Sequence, residues 1–241
     1  MNSITDVELK HLLRFVGYGR LDAKVWFIGM EEGGNERNIE DNIRSRLKFS
    51  HVEDCAEAHT IFLKESKFHT GKRVIQRTWR GMCYIMLSLE GGDTKPESIR
   101  NYQAERLGHS RSSGQTLLCE LMPLPNPSMK KWCYGELIRR FQTRDEYYKT
   151  VKPFRIRLLR KLLRMYLPKV VICYGKGYWA DYRRMFPEFN FSKSKCGQFE
   201  VAEEKGQVVV LTPHFTARSM NGKFDDVVAI VEPVYKKCAK V

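Results

Sequence analysis

Apolar and polar positions alternate along this chain in blocks that predict strands separated by helices. Lys24-Val25-Trp26-Phe27-Ile28 runs into Gly29-Met30-Glu31-Glu32-Gly33-Gly34-Asn35. Thr116-Leu117-Leu118-Cys119 runs into Glu120-Leu121-Met122-Pro123-Leu124-Pro125-Asn126-Pro127. Val170-Val171-Ile172-Cys173-Tyr174 meets the glycine pair of Gly175-Lys176-Gly177, and Val208-Val209-Val210-Leu211 meets Thr212-Pro213-His214-Phe215-Thr216-Ala217-Arg218. Short β-branched runs separated by helical stretches predict a parallel sheet. Ligands of such sheets bind beyond the carboxyl ends of the strands. Those ends bring a carboxylate pair, a third carboxylate, a glycine turn and a histidine to one place.

The helical stretches follow from periodicity and caps. Thr5 or Asp6 caps a first helix that ends near Gly17. Residues 36–89 read as helical, with breaks near Phe49–Asp54 and Thr70–Gly71, and form a charged insertion or an elaborated crossover. After Glu90-Gly91-Gly92-Asp93, a helix spans Pro96–Leu107, and Gly108–Gly114 is a polar loop. Phe154–Leu167 has strong helical periodicity and stops at Pro168. Tyr178–Phe186 and Asp225–Lys237 are further helices, and Gln198–Glu203 pairs with Gln207–Leu211 as a hairpin or added strand. The expectation is one α/β domain over residues 1–241: a three-layer α/β/α sandwich on a four-stranded, mostly parallel sheet.

Composition narrows the class. The chain has 241 residues and 42% hydrophobic content, enough for a buried core. No apolar run has membrane-spanning length, and Met1–Asp6 is unlike a signal peptide, so the cytoplasm is the default location and no membrane or obligate protein partner is indicated. The formal charge of +14 favours a polyanionic partner, nucleic acid before others, over a basic surface that only aids solubility. The seven cysteines include no C-x-x-C pair and read as structural, so neither a metal site nor a cofactor is expected. Both G-x-x-x-x-G-K-[ST] and G-x-G-x-x-G are absent, which disfavours a nucleotide-binding domain.

The order of these clusters resembles the uracil-DNA glycosylase superfamily. Gly29-Met30-Glu31-Glu32-Gly33 stands where that family has a G-x-[D/N/A]-P-G-like loop. His214-Phe215-Thr216, with Arg218 after it, stands where the family has a H-P-S-like loop and a basic residue. Glu120 takes the place of a base-reading asparagine, followed by Pro123, Pro125 and Pro127. Arg164–Gly175 matches the family's helix-P-x-V-V-V-x-x-G segment. The likeness spans about residues 20–235. The departures are Glu31 for the usual Asp or Asn, no proline in the first loop, Phe215 for proline and Glu120 for a neutral amide. The spaced cysteines of the iron–sulfur branches are also missing.

The resemblance implies a monofunctional DNA glycosylase that flips a base out of DNA and hydrolyses its N-glycosidic bond. Its departures imply a modified base, and glucosylated hydroxymethylcytosine of phage DNA, removed in antiviral defence, is the narrowest form. A repair glycosylase for uracil or a damaged base and a non-catalytic nucleic-acid-binding protein of the same fold are the alternatives. A nuclease metal held by Glu31 and Glu32 has no second motif to support it.

The resemblance also assigns residues. Glu31 would hold the oxocarbenium-like sugar or activate water, and Glu32 either shares that role or is a loop charge. His214 either donates to the departing base or is a packed structural residue at the strand end. Gly29 and Met30 would line the base pocket. Glu120 either accepts from an exocyclic amine or is a buried acid paired with an arginine. Asn126 either reads the base or caps its loop. Trp79 either stacks on the flipped base or belongs to the core. Thr216, Arg218, Arg80, Arg111 and Lys176 are the candidate DNA contacts, although Arg218 could equally pair with a local carboxylate. The basic run Arg155–Arg164 reads as a solvated helix face.

Overall fold

The structure, a computed structural model, describes residues 3–34, 38–111, 114–128 and 131–237. Asn35, named above, and Cys238, one of the seven cysteines, lie outside the described residues. In chain order the elements are α1 (Asp6–Arg14), β1 (Gly17–Gly19), β2 (Val25–Gly33), α2 (Ile39–Arg46), β3 (Val52–Glu53), α3 (Cys55–Glu57), α4 (Arg77–Leu89), α5 (Pro96–Glu105), β4 (Thr116–Asn126) and α6 (Arg144–Tyr166). β5 (Val170–Tyr174), α7 (Trp179–Arg183), β6 (Ser192–Lys193), β7 (Glu200–Glu204), β8 (Gln207–Thr212) and α8 (Phe224–Lys237) complete the chain.

The fold is α/β, but the sheet is larger than the sequence predicts. Among the described residues it has eight strands in the order β3-β1-β4-β2-β5-β8-β7-β6 and is mixed. The expected parallel strands form its centre: β4, β2, β5 and β8 run parallel, with Val25 opposite both Thr116 and Val170, and Val170 opposite Val208. β1 adds antiparallel to β4, and β7 antiparallel to β8. β1 escapes a hydrophobicity search because it is Gly17-Tyr18-Gly19. A Cβ on Gly17 would lie 2.0 Å from the Leu118 carbonyl oxygen, so the strand can approach β4 only as glycine.

Side chains of the central strands alternate between two apolar layers, as a strand period of two requires. Trp26, Ile28, Cys119, Val171 and Leu211 face one layer with residues of α1, α2, α6 and α7. Val25, Phe27, Leu118, Ile172 and Val210 face the other with residues of α4, α5 and α8. Helices therefore cover both faces.

Two expectations change. The 36–89 stretch is less helical than its pattern suggests. It supplies strand β3, a π-helical turn at Ala58–Phe62 and a 3₁₀ turn at Ser66–Phe68 between its helices. α6 begins well before Phe154 and carries Pro153 within it. A capping box starts it, in which the Thr143 side chain accepts from the Glu146 N–H and Glu146 returns the bond to the Thr143 N–H. The first arginine of the supposed solvated face also turns inward. Arg155 is fully buried, donating to the carbonyls of Leu121 (3.0 Å), Glu120 (2.7 Å) and Leu13 (3.2 Å).

Candidate active site

The four central strands end together, and the residues just beyond them enclose a cavity of about 400 Å³. β2 contributes Met30 and Glu31, β4 contributes Asn126, and Ser128 follows it. Tyr174 at the end of β5, the Gly175–Tyr178 turn and His214 beyond β8 close the rest. Residues separated by most of the chain length thus share one wall. Gly175 has φ of +117°, a conformation open to glycine and strained for other residues, and it lets the chain turn sharply at the rim.

Glu31 is the acidic group of the cavity, with a side chain only 8% exposed. Its Oε2 pairs with Arg144 in the first turn of α6, while Oε1 is buried and makes no hydrogen bond. Arg144 is itself positioned by donating to the Ser128 carbonyl (2.8 Å) and to the Tyr148 hydroxyl (2.7 Å). Burial raises the Glu31 carboxyl to about 7, against the pull of Arg144, Asn126 and Tyr148.

Glu32 takes a different environment. It accepts from the buried Arg46 (2.8 Å) and from the Tyr18 hydroxyl (3.1 Å). Each of the two neighbouring carboxylates thus has its own arginine, which offsets their mutual repulsion. Glu32 is absent from the cavity lining and acts as a structural ion pair.

His214 is exposed at the cavity mouth, with its ring 5.5 Å from the Tyr174 ring. Its Nδ1 accepts the Thr216 backbone N–H at 3.3 Å and lies 2.8 Å from the Thr216 hydroxyl. An Nδ1 that accepts from an amide leaves the ring proton on Nε2. Partial burial lowers the pKa of the ring, which favours this neutral tautomer. Thr216 therefore orients the imidazole.

Asn126 both caps its loop and lines the cavity. Its Nδ2 donates to the carbonyls of Ser128 (3.1 Å) and Lys131 (2.9 Å), and its buried Oδ1 makes no hydrogen bond. Lys176 stands exposed at the rim, its Nζ 5.8 Å from the Trp179 ring centroid.

Three residues assigned to the base pocket fall elsewhere. Glu120 sits behind Tyr174, whose hydroxyl donates to Oε1 at 2.7 Å. Burial first, and the charges of Glu32 and Glu31 after it, raise its carboxyl to about 8, so it is mostly protonated at neutral pH. A neutral acid behind an aromatic wall cannot exclude a base carbonyl by charge. Gly29 supports that arrangement and is also absent from the cavity lining. A Cβ there would lie 2.1 Å from Glu120 Oε2 and 2.4 Å from the Tyr174 hydroxyl oxygen. Trp79 packs against His59 (5.1 Å), Phe68 (5.4 Å) and His69 (5.6 Å). With Glu120 and Glu32 it lines a separate void of about 40 Å³, large enough for water but not for a base.

The proposed DNA contacts also divide. Lys176 and Thr216 are at the cavity or beside it. Arg218 is exposed further along the His214 loop, on the turn Arg218–Met220. Arg80 is exposed next to Gly81, where α4 meets Phe215 and Phe224. Arg111 lies at the amino end of β4, where its carbonyl accepts from Arg20, and is therefore at the opposite end of the sheet from the cavity.

Arg144, Tyr148 and Tyr178 are cavity or near-cavity residues that sequence reading passes over. The Thr143–Glu146 capping box was the available signal for Arg144, because it begins a helix there. No family model matches the chain, and no curated protein matches it.

Proposed function

We propose that this protein is a monofunctional DNA glycosylase acting on a modified base. The observation that carries the reading is the presence of Glu31 and His214 on one cavity at the carboxyl ends of the central strands. Its volume, about 400 Å³, is in the range of small-ligand sites and suits a base extruded from the helix.

Hydrolysis breaks the bond between C1′ and the base nitrogen, and the bonding electrons leave with the base. The sugar becomes oxocarbenium-like, so an anion beside it lowers the barrier. Glu31 supplies that anion. Arg144 holds Oε2, and Oε1 takes the proton of the water whose oxygen bonds to C1′. A base with a pKa near the working pH suits this task. His214 Nε2–H donates to the base oxygen on which negative charge develops.

The preference for a modified cytosine rests on the departures of the sequence from the uracil-type pattern, of which Glu31 for the usual Asp or Asn is the one that lines the cavity; Glu120, behind Tyr174, takes no direct part in reading the base. Glucosylated hydroxymethylcytosine of phage DNA is the narrowest form of the proposal, with antiviral defence as its setting.

A panel of duplexes carrying uracil, damaged bases, or hydroxymethylated and glucosylated cytosines tests it. Alkali-labile sites that form without magnesium support the proposal, and the responsive duplex identifies the base. Magnesium-dependent cuts before alkali indicate a nuclease. Binding with no base released from any duplex would leave a non-catalytic DNA-binding protein.

A further inference from the structure

A buried cluster of imidazoles and a thiol lies within the insertion, apart from the cavity described above. Cys55 opens α3, His59 belongs to the π-helical turn Ala58–Phe62, and His69 follows the turn Ser66–Phe68. One potential ligand atom from each lies within 4.8 Å of the other two, and all three residues are buried. We propose that Cys55, His59 and His69 bind a zinc ion that fastens the insertion to itself.

The protonation pattern suits a metal. His59 Nδ1 lies 2.7 Å from the Cys55 carbonyl oxygen and donates to it, which leaves Nε2 with its lone pair. Metal-bound histidines commonly make this kind of outer contact to a backbone carbonyl. His69 is only 6% exposed, yet neither ring nitrogen has a hydrogen-bond partner. A buried imidazole with both nitrogens unpaired is costly unless something binds it.

Thiol and imidazole donors together select zinc among the common divalent ions. The shell must contract by roughly 1 Å to reach tetrahedral zinc distances. Binding replaces the Cys55 S–H bond by a sulfur–zinc bond and releases the proton to solvent. A water completes the fourth position. π-Helical turns often occur where a side chain must be aimed at a ligand, and His59 lies in one. Trp79 walls the cluster, with its ring 5.1 Å from His59 and 5.6 Å from His69. The segment thus anchored leads directly to exposed Lys72, Arg77 and Arg80. Zinc would therefore order a basic stretch of the surface, a role independent of whether the cavity is catalytic.

The test uses tag-free, full-length protein produced with zinc and dialysed, with metal measured by mass spectrometry. The expected result is about one zinc per chain. Cobalt substitution should give a thiolate charge-transfer band that disappears in Cys55→Ser and persists in Cys196→Ser, which alters an exposed thiol. His69→Gln should weaken zinc binding more than about 100-fold, beyond the loss for an outer-sphere contact. A chelator should lower the Tm of the wild type but not of His69→Gln. Metal-free wild type whose Tm does not respond to added zinc would overturn the proposal. So would zinc retained equally by folded Cys55→Ser and His69→Gln, which would mark an adventitious ion elsewhere. If either variant fails to fold, wild-type stoichiometry and the zinc response of its Tm still decide.

Discussion

Arg144 pairs with Oε2 of Glu31, while Oε1 is buried with no hydrogen-bond partner among the described residues. Under the proposed function, base release should depend on Glu31. Glu31→Gln keeps the shape and removes the base, and should slow single-turnover base release by about 10²–10⁴-fold. DNA affinity should change little. A variant as fast as the wild type would remove Glu31 from the mechanism.

The same carboxyl sets a pH dependence. Burial raises it to about 7, and the proposed mechanism uses the ionised form. The rate on DNA should therefore climb as pH rises through about 7 and then level off. Arg144 lowers that pKa, so Arg144→Met should move the rising limb to higher pH. A limb that stays in place, or moves down, would show that Arg144 does not act on Glu31.

Glu120 has a stability signature of the opposite sense to a salt-bridged acid. Its folded pKa, about 8, lies above the ordinary 4.5, so the folded protein holds a proton that the unfolded chain releases between those values. Its contribution is present in full below pH 4.5 and is lost as pH rises through about 8. Glu120→Gln keeps an acceptor for Tyr174 and cannot ionise. Its Tm relative to wild type should rise between about pH 4.5 and 8, the window set by those two pKa values, and then level off. A constant difference across that window would contradict the assignment.

Arg155 holds three carbonyls from within the core. Arg155→Met should cost on the order of 3 kcal/mol in urea unfolding, because buried acceptors lose their donor. Arg157 is exposed on the same helix, and Arg157→Ala should fall within about 0.5 kcal/mol of wild type. Equal effects would mean that the helix face is assigned wrongly.

The chain's net +14 predicts DNA binding that weakens steeply with salt. Lys176, at the cavity rim, should account for one phosphate contact. Lys176→Ala should reduce the slope of log K against log salt by about 1. Arg111→Ala changes a cation at the other end of the sheet and should leave base release unchanged. A large loss of base release in Arg111→Ala would require DNA to reach both ends.

Much of the cavity was legible in the sequence because parallel strands have a simple rule. Apolar runs of β2, β4, β5 and β8 identified themselves, and their carboxyl ends had to meet. Glu31, Lys176 and His214 stand within a few residues of such runs, and the family resemblance supplied the roles of Glu31 and His214; Asn126 lies farther on, at the end of β4. The two-residue alternation of each strand also set which side chains face which helical layer.

What the sequence could not decide were pairings between distant residues. Arg144 reaches Glu31 across more than a hundred positions, and no local pattern announces such a contact. Glu120 lies within β4 as Glu31 lies within β2, yet close packing at Gly29 puts Tyr174 in front of it. Trp79, His59 and His69 meet only after the insertion folds back on itself. Periodicity records which face of an element is apolar; which neighbour covers that face, and therefore which polar group is left beside a cavity or a metal, is settled by packing in three dimensions.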